Sequence, residues 1–271
     1  MHRRMDRLRC EIIGEVGADE LNLEKRRSQF ILRNKFRKIS QGNRLGILWI
    51  VLEPLVFSLV YLFVLTVLRA RLSPESIFVG ISLFGIFTTS IMSGIDAIGD
   101  YTGGLRCERI RTRVLIIPMI NYRIIDAVCR SSPVAIILYL FLDSPAIGCI
   151  FFVLSSAVLA VSCEGFALNF SRIIRHVPDL KIMIRYFLRL MFFVGPVLFP
   201  LSMAKGIHFH ANLLNPFTYF SESTRFILGL ESAFSDFQLP TFVATMGITL
   251  ILAFRGYYKI DSFRWELSSW S

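Results

Sequence analysis

The stretch LGILWIVLEPLVFSLVYLFVLTVL, Leu45–Leu68, runs for 24 residues with a single charged side chain, Glu53. An α-helix rises about 1.5 Å per residue, so this stretch is long enough to cross the roughly 30 Å hydrocarbon core of a bilayer with some tilt. An apolar run of this length with so little charge is typical of a transmembrane helix. Leu45–Leu68 is therefore predicted to span a membrane.

The composition of the chain supports this prediction. Of 271 residues, 54% are hydrophobic and only 18% are charged, and the mean hydropathy is +0.57. A soluble domain has about 45–50% apolar and about 25% charged residues, so charge is too scarce here to cover a water-exposed surface. Ordinary Gly and Pro contents argue against a disordered or collagen-like chain. The five cysteines form no paired framework, and reduced thiols are expected.

Five more apolar segments are predicted to span the membrane, which makes the expected fold all-α and integral to the membrane, with six transmembrane helices. The segments are Ile77–Gly99, Ile124–Leu142, Ala146–Leu168, Ile182–Leu201 and Leu239–Tyr258. The third predicted span contains Asp126 and Arg130, whose i,i+4 spacing places them on one helix face, where they can pair.

Basic residues orient the predicted helices. The net charge is +10, and 25 of the 30 Lys and Arg residues lie in the N-terminal segment, the second and fourth connecting regions and the C-terminal segment. The alternate connections contain only Arg69, Arg71, Lys205 and Arg225. By the positive-inside rule both termini are cytoplasmic. Since the basic residues follow topology and form no single patch, nucleic acid is not an expected partner.

The basic segment Lys25–Arg44 has apolar Leu32, Phe36 and Ile39 at helical spacing. It is predicted to be an amphipathic helix at the cytoplasmic membrane interface, with a solvated juxtamembrane tail as the alternative. The predicted organisation is a cytoplasmic tail (1–24), an interface helix (25–44), a single transmembrane domain (45–258) and a C-terminal cytoplasmic tail (259–271).

The external segment Ser202–Pro240 is too apolar for a simple loop, yet its apolar pieces are too short to span. Asn215 and Pro216 predict the start of a helix, with Asn as N-cap and Pro at the first helical position. On that helix, an apolar face of Phe217, Phe220, Ile227 and Leu230 opposes a polar face of Ser221, Glu222 and Arg225. A re-entrant helix pair or segment is expected before the last span.

Catalytic motifs are lacking. None of the six lysines follows a glycine, so a phosphate-binding G-K-[ST] loop is absent from the sequence. His208 and His210 lack a third metal ligand at convincing spacing. The chain is therefore expected to be no enzyme and to bind no cofactor or metal itself.

One pattern in the first predicted span relates to chemistry. Trp49, Glu53, Phe57 and Tyr61 follow one another at i,i+4 spacing and form a ladder along one side of a helix. Aromatic faces beside a carboxylate suit sugar rings, whereas helix–helix packing with Glu53 bonded to a neighbouring helix explains the pattern equally well. Pro54 is predicted to kink this helix.

Short motifs follow one another along about residues 30–258. They are Phe36-Arg37-Lys38-Ile39-Ser40, Arg44-Leu45-Gly46-Ile47-Leu48-Trp49, Leu52-Glu53-Pro54, Arg175-His176-Val177-Pro178-Asp179-Leu180, Gly195-Pro196-Val197, Phe199-Pro200 and Leu214-Asn215-Pro216, with Glu222 and Arg225 downstream. In this order they resemble the membrane (permease) subunit of polysaccharide-export ABC transporters of the ABC-2 type. The Leu-Glu-Pro variant is most similar to the capsular-polysaccharide branch.

The resemblance implies a homodimeric permease that works with two separate ATP-binding cassette subunits, which bind ATP and Mg. It implies export of a lipid-linked polysaccharide across the bacterial inner membrane. By resemblance, the substrate path includes Trp49, Glu53, Phe57, Tyr61, Phe193 and Phe199. The residues that couple to the ATPase would be Arg33, Phe36, Arg37, Arg109 and Arg111. The outer gate would include Asn215, Pro216, Phe220 and Arg225.

Two alternatives remain open on the sequence. The same architecture could export drugs or lipids. An ion-coupled transporter could use the carboxylates Glu53, Asp96, Asp126 and Glu164, although these are expected at separate depths and without a visible relay.

Overall fold

A computed structural model of the chain describes residues 22–37, 48–67, 73–101, 112–236 and 239–268. These residues are helical apart from short connections, and no strand occurs among them, which confirms the all-α class. The α-helices are α1 (22–37), α2 (Leu48–Val67), α3 (Pro74–Tyr101), α4 (Thr112–Phe141), α5 (Ala146–His176), α6 (Asp179–Val194), α7 (Ile207–Leu213), α8 (Pro216–Ile227) and α9 (Leu239–Ser268).

Four helices are long and apolar enough to cross a membrane. Their apolar parts are Pro74–Ala97 of α3, Val114–Phe141 of α4, Ala146–His176 of α5 and Pro240–Ile260 of α9. They coincide with the second, third, fourth and sixth predicted spans, and their length and composition are those of a membrane protein. The first and fifth spans stay predictions, because the apolar part found in α2, Leu48–Val60, is shorter and α6 is short.

The helix α6 has 16 residues, so it is about 24 Å long. The sequence predicted a span over Ile182–Leu201, but the helix ends at Val194. Gly195 takes an extended conformation, with φ −76° and ψ 163°, and Pro196 follows. Proline lacks a backbone N–H and disfavours helical geometry in the residue before it, which explains why the helix stops here.

Side chains of α7 cover the end of α6. The carbonyl of Val194 accepts a hydrogen bond from His208 Nε2 at 2.6 Å and another from Asn212 Nδ2 at 3.0 Å. A helix leaves its last carbonyls without partners inside the helix, so these two side chains act as a C-terminal cap.

The chain forms two compact units. One comprises Met1–Gly46 and Arg109–Tyr122, and its described residues are α1 and the first turns of α4. Within it, the rings of Phe36 and Tyr122 lie 5.1 Å apart, and Lys35 Nζ lies 5.3 Å from the Tyr122 ring centre. The predicted interface helix overlaps α1 over 25–37, and its remaining residues lie outside those that the structure describes.

The second unit, Ile47–Glu108 and Arg123–Ser271, contains most of the apolar core. Its helices approach closely where they carry glycine. A Cβ on Gly94 of α3 would lie 2.4 Å from the carbonyl oxygen of Glu164 on α5, and one on Gly256 of α9 would lie 1.9 Å from that of Gly165. Small residues allow such close backbone contact, which is common between membrane helices. The helix α5 is therefore the centre of this unit.

The predicted helix pair before the last span exists as α7 and α8. The backbone N–H of Phe217 donates to Asn215 Oδ1 at 3.1 Å, and Pro216 is the first residue of α8, which confirms the predicted cap. The polar side of α8 is enclosed, since Glu222 and Arg225 are fully buried, and Phe217 and Phe220 of the apolar side are buried as well. The external, re-entrant placement of this pair stays a prediction.

Candidate functional site

A groove of about 620 Å³ lies among α2, α3, α4 and α6. Its charged lining residues are Glu53 of α2, Arg130 of α4, and Arg185 and Arg189 of α6. Its aromatic lining residues are Phe57, Phe84, Phe192 and Phe193. Charge and aromatic surface therefore meet in one depression in the second unit.

The aromatic lining is partly open. Phe57 is 53% exposed and Phe193 is 64% exposed, so both present ring surface to a ligand. Phe84 and Phe192 also line the groove, and their rings pack edge-to-face with centroids 5.3 Å apart, which stabilises this part of its wall. The hydroxyl oxygen of the buried lining residue Ser82 has no hydrogen-bond partner among the described residues.

Glu53 and Asp126 both bind Arg130. Arg130 Nη1 donates to Glu53 Oε2 at 2.7 Å, and its Nε donates to Asp126 Oδ1 at 3.2 Å. The second bond confirms the predicted i,i+4 pair on α4. The predicted bond of Glu53 to a neighbouring helix is therefore present, while contact of this carboxylate with a sugar stays a prediction.

The two α6 arginines add positive charge to the groove. Arg185 and Arg189 are exposed, and no carboxylate among the described residues pairs with either. The Arg189 guanidinium lies 5.4 Å from the centre of the Tyr186 ring, within range of a cation–π contact. The groove's three arginines outnumber its carboxylates even when Asp126 is counted, so its net charge is positive.

Sequence reasoning used these α6 arginines only to orient the helices. Their i,i+4 spacing inside an apolar segment was the available indication that they share a face.

Behind the groove, charged side chains form a buried network. Arg123 Nη1 lies 3.1 Å from Asp126 Oδ2, and its Nη2 lies 3.2 Å from Glu164 Oε1. Ser93 donates to Glu164 Oε1 at 2.9 Å, and Tyr257 donates to Oε2 at 3.2 Å. These bonds join α3, α4, α5 and α9.

The network links three of the four carboxylates that are expected at separate depths, and that expectation about depth stays a prediction. A chain of ion pairs runs from Glu53 to Arg130, Asp126, Arg123 and Glu164. Asp96, the fourth carboxylate, is apart from them and pairs with Lys181 at 2.7 Å, which joins α3 to the start of α6.

A second buried ion pair lies near the end of α6. Arg225 and Glu222 of α8 are both fully buried, with Arg225 Nη1 2.8 Å from Glu222 Oε1. Arg225 also donates to the carbonyls of Pro196 and Val197, both at 2.8 Å, and to that of Ser76 at 3.3 Å. Burial lowers the pKa of the Arg225 guanidinium, while the negative charge of Glu222 opposes that change.

Glu222 also receives backbone donors. The N–H groups of Leu201 and Ala233 bind its two oxygens at 3.1 and 2.7 Å. The pair therefore connects α8 with the chain after α6, with the start of α3 and with the connection to α9.

The structure brings three predicted path residues, Glu53, Phe57 and Phe193, into one groove. Trp49 is half exposed on α2 but is not among the lining residues, and the side chain of Tyr61 lies outside the described part. Phe199 lies elsewhere, since its ring is 5.8 Å from that of His208 beyond the end of α6.

The remaining predicted residues fall in other places. Arg33 and Arg37 are exposed on α1, whereas Arg109 and Arg111 lie outside the described residues. The predicted gate residue Phe220 is buried in α8 beside the cap formed by Asn215 and Pro216. Among the described residues, no group of three or more His, Cys, Asp or Glu is placed to hold a metal ion.

No protein-family model matches the chain, and no curated protein is significantly similar to it in sequence. The groove and the short motifs are therefore the features on which a function can be based.

Proposed function

We propose that the chain is the permease subunit of an ABC-2 type exporter that moves a lipid-linked, capsular-type polysaccharide across the bacterial inner membrane. Separate subunits would bind and hydrolyse ATP. The observation that carries this proposal is the groove, where the exposed rings of Phe57 and Phe193 lie beside arginines. Sugar rings offer apolar C–H faces to aromatic rings, and acidic groups of a glycolipid offer oxyanions to guanidinium.

The position of Arg185 and Arg189 supports a polar path. Guanidinium groups in a membrane helix are costly unless they face water or protein. Both arginines are exposed on α6, and Leu188 is the buried residue of that helix. A hydrated path between two copies of the chain would solvate the arginines and cover the apolar remainder of α6, which supports the proposed homodimer.

The proposed ATPase contact is the exposed basic side of α1. Arg33 and Arg37 are exposed there, one turn apart, while Phe36 packs on Tyr122 within the first unit. An exposed guanidinium pair on an ordered helix suits a carboxylate-bearing partner surface.

Co-purification with the candidate ATP-binding subunit tests the proposal directly. The chain alone is expected to show no ATPase activity, and its addition is expected to change the activity of the partner. The double variant Arg33→Ala/Arg37→Ala should reduce co-purification, because two charge-assisted contacts are lost. Lys25→Ala/Arg26→Ala is the matched control, since both residues are exposed on the same helix. Equal retention by both double variants would contradict docking through this side of α1.

Export itself tests the groove. Phe57→Ala should lower surface polymer roughly two- to tenfold, the effect of losing about 0.5–1.5 kcal/mol of aromatic contact. Phe63→Ala is the control, because Phe63 is exposed on the same helix and does not line the groove. Normal surface polymer in a strain that lacks the protein would refute the export proposal as a whole.

An ion-coupled transporter is the second candidate, and the linked carboxylates favour it. However, Glu53, Asp126 and Glu164 each already accept a bond from an arginine, and taking up a proton would weaken that bond. Transport by the purified chain, driven by a proton gradient with no ATPase present, would establish this candidate.

A further inference from the structure

Two carboxylates share Arg130, but they differ in accessibility. The Asp126 side chain is 4% exposed and that of Arg130 is 12% exposed, whereas that of Glu53 is 46% exposed. Asp126 is bound on its far side by the buried Arg123. Glu53 forms one ion pair, the 2.7 Å contact with Arg130, and faces the groove.

The groove contains more guanidinium groups than its own carboxylates occupy. Arg185 and Arg189 line it without a carboxylate partner among the described residues. An oxyanion placed between these arginines and Arg130 would accept charge-assisted hydrogen bonds. In the structure, Glu53 Oε2 occupies the part of that position next to Arg130, where it accepts the hydrogen bond from Arg130 Nη1.

We propose that Glu53 is an internal competitor for an oxyanion-binding site formed by Arg130, Arg185 and Arg189, and that an arriving phosphate or carboxylate group displaces it. This inference rests on the proposed function, because it names the part of the glycolipid that the groove would hold. Glu53 is half exposed and Arg130 keeps its bond to Asp126, so Glu53 can leave at small cost. Asp126 stays, because breaking a buried pair leaves an uncompensated charge.

The exchange has a mechanical consequence for α2. Glu53 is the only charged residue between Leu48 and Val67, so any ion pair of this helix must involve it, and its ion-pair partner among the described residues is Arg130. Binding of an oxyanion would release that bond and remove the ion pair between α2 and α4. Occupancy of the groove would thus loosen the attachment of α2 to α4.

Calorimetric titration of the purified full-length chain tests the exchange. Three probes separate the sources of the oxyanion: short-chain phosphatidate for a lipid phosphate, inorganic pyrophosphate for a free phosphate, and glucuronate for a sugar carboxylate. Glu53→Gln should bind the preferred probe about two- to fivefold more tightly, equivalent to about 0.4–1 kcal/mol. Arg185→Gln/Arg189→Gln should weaken the same binding.

Glu75→Gln is the matched control, because it removes a partly buried carboxylate of α3 that does not line the groove. Its affinity should equal that of the unmodified chain. Glu53→Ala should repeat the gain of Glu53→Gln, so the prediction remains testable if one variant does not fold, which a thermal melt would reveal.

Unchanged affinity for all three probes in both Glu53 variants would overturn the exchange, and so would weaker binding. These titrations use the chain without its proposed ATPase. Failure of the exchange would leave the co-purification result intact, and failure of co-purification would leave the titrations valid.

Discussion

Arg225 replaces the hydrogen bonds that α6 loses where it stops. Beyond Val194, the carbonyls of Pro196 and Val197 have no helical partners, and the Arg225 guanidinium donates to both. Unsatisfied carbonyls are costly inside a membrane protein, since neither lipid nor core supplies a donor. Glu222 balances the charge from the same helix. Arg225, with Ser221 Oγ as a second donor to the carbonyl of Pro196, therefore allows irregular backbone to be buried here.

Arg225→Met should destabilise the chain by about 3–5 kcal/mol, because buried Glu222 loses its ion-pair partner and the carbonyl of Val197 loses its guanidinium donor. Thermal unfolding of the purified full-length chain in detergent would measure this as a large drop in Tm. Arg175→Met is the control, because Arg175 is exposed near the end of α5, and its effect should stay within about 0.5 kcal/mol. Equal Tm values for the two variants would mean that the Arg225 contacts do not stabilise the fold.

Among the elements, α3 depends on a glycine that faces the chain after α6. A Cβ on Gly80 would lie 1.8 Å from the carbonyl oxygen of Val197 and 2.8 Å from Arg225 Nη2. Neither neighbour can move away easily, because the two are bonded to each other.

Gly80→Ala should therefore lower Tm. The expected loss of unfolding free energy is about 1–3 kcal/mol, the usual effect of overpacking a core. Gly85→Ala, on the same helix, meets nothing within 4 Å and should be neutral or stabilising, since alanine favours helices by up to about 1 kcal/mol. The difference between the two variants isolates the close approach, and equal melting curves would refute it.

Local patterns predicted the elements well and their partners poorly. The apolar run of α5 and the Asn215–Pro216 start of α8 depend on neighbouring residues, and both are confirmed. The Asp126–Arg130 pair followed from its i,i+4 spacing. The end of α6 was wrong because apolar composition continues past Val194, although Gly195 and Pro196 break the helix.

The remaining site could not be predicted, because it depends on how separate helices pack. Arg123 and Glu164 are 41 positions apart, and no periodicity connects residues at that distance. The two α6 arginines line the same groove as Arg130 only once α6 packs beside α3. The distribution of basic residues along the sequence therefore predicted the orientation of the helices, but it did not predict that these arginines line a groove.

For the molecule as a whole, Glu164 is the residue on which four helices converge. Glu164→Leu leaves the buried Arg123 without one of its carboxylate partners. This variant should lower the free energy of unfolding by about 3–5 kcal/mol. Replacing both ends of the pair removes the unpaired charge, so Arg123→Met/Glu164→Leu should recover part of that loss. Tyr257→Phe removes one neutral donor and should cost about 1 kcal/mol.

These free energies are measured by thermal or denaturant unfolding of the full-length chain and compared as a double-mutant cycle. A coupling energy near zero between Arg123 and Glu164 would show that the contact does not connect α4 to α5.

The charges of α4 also bear on how the chain is made. Arg123, Asp126 and Arg130 occupy one helix, three and four residues apart, and Asp126 bonds to both arginines. During synthesis α4 precedes α5 and α9, so neither Glu164 nor Tyr257 exists yet to receive Arg123. Each charge at the centre of a nascent helix disfavours its insertion by about 2.5–3.5 kcal/mol. Because Asp126 offsets part of the arginine charge, α4 can enter the bilayer as a nearly self-neutralised segment. The later helices α5 and α9 then add Glu164 and Tyr257 to the buried network.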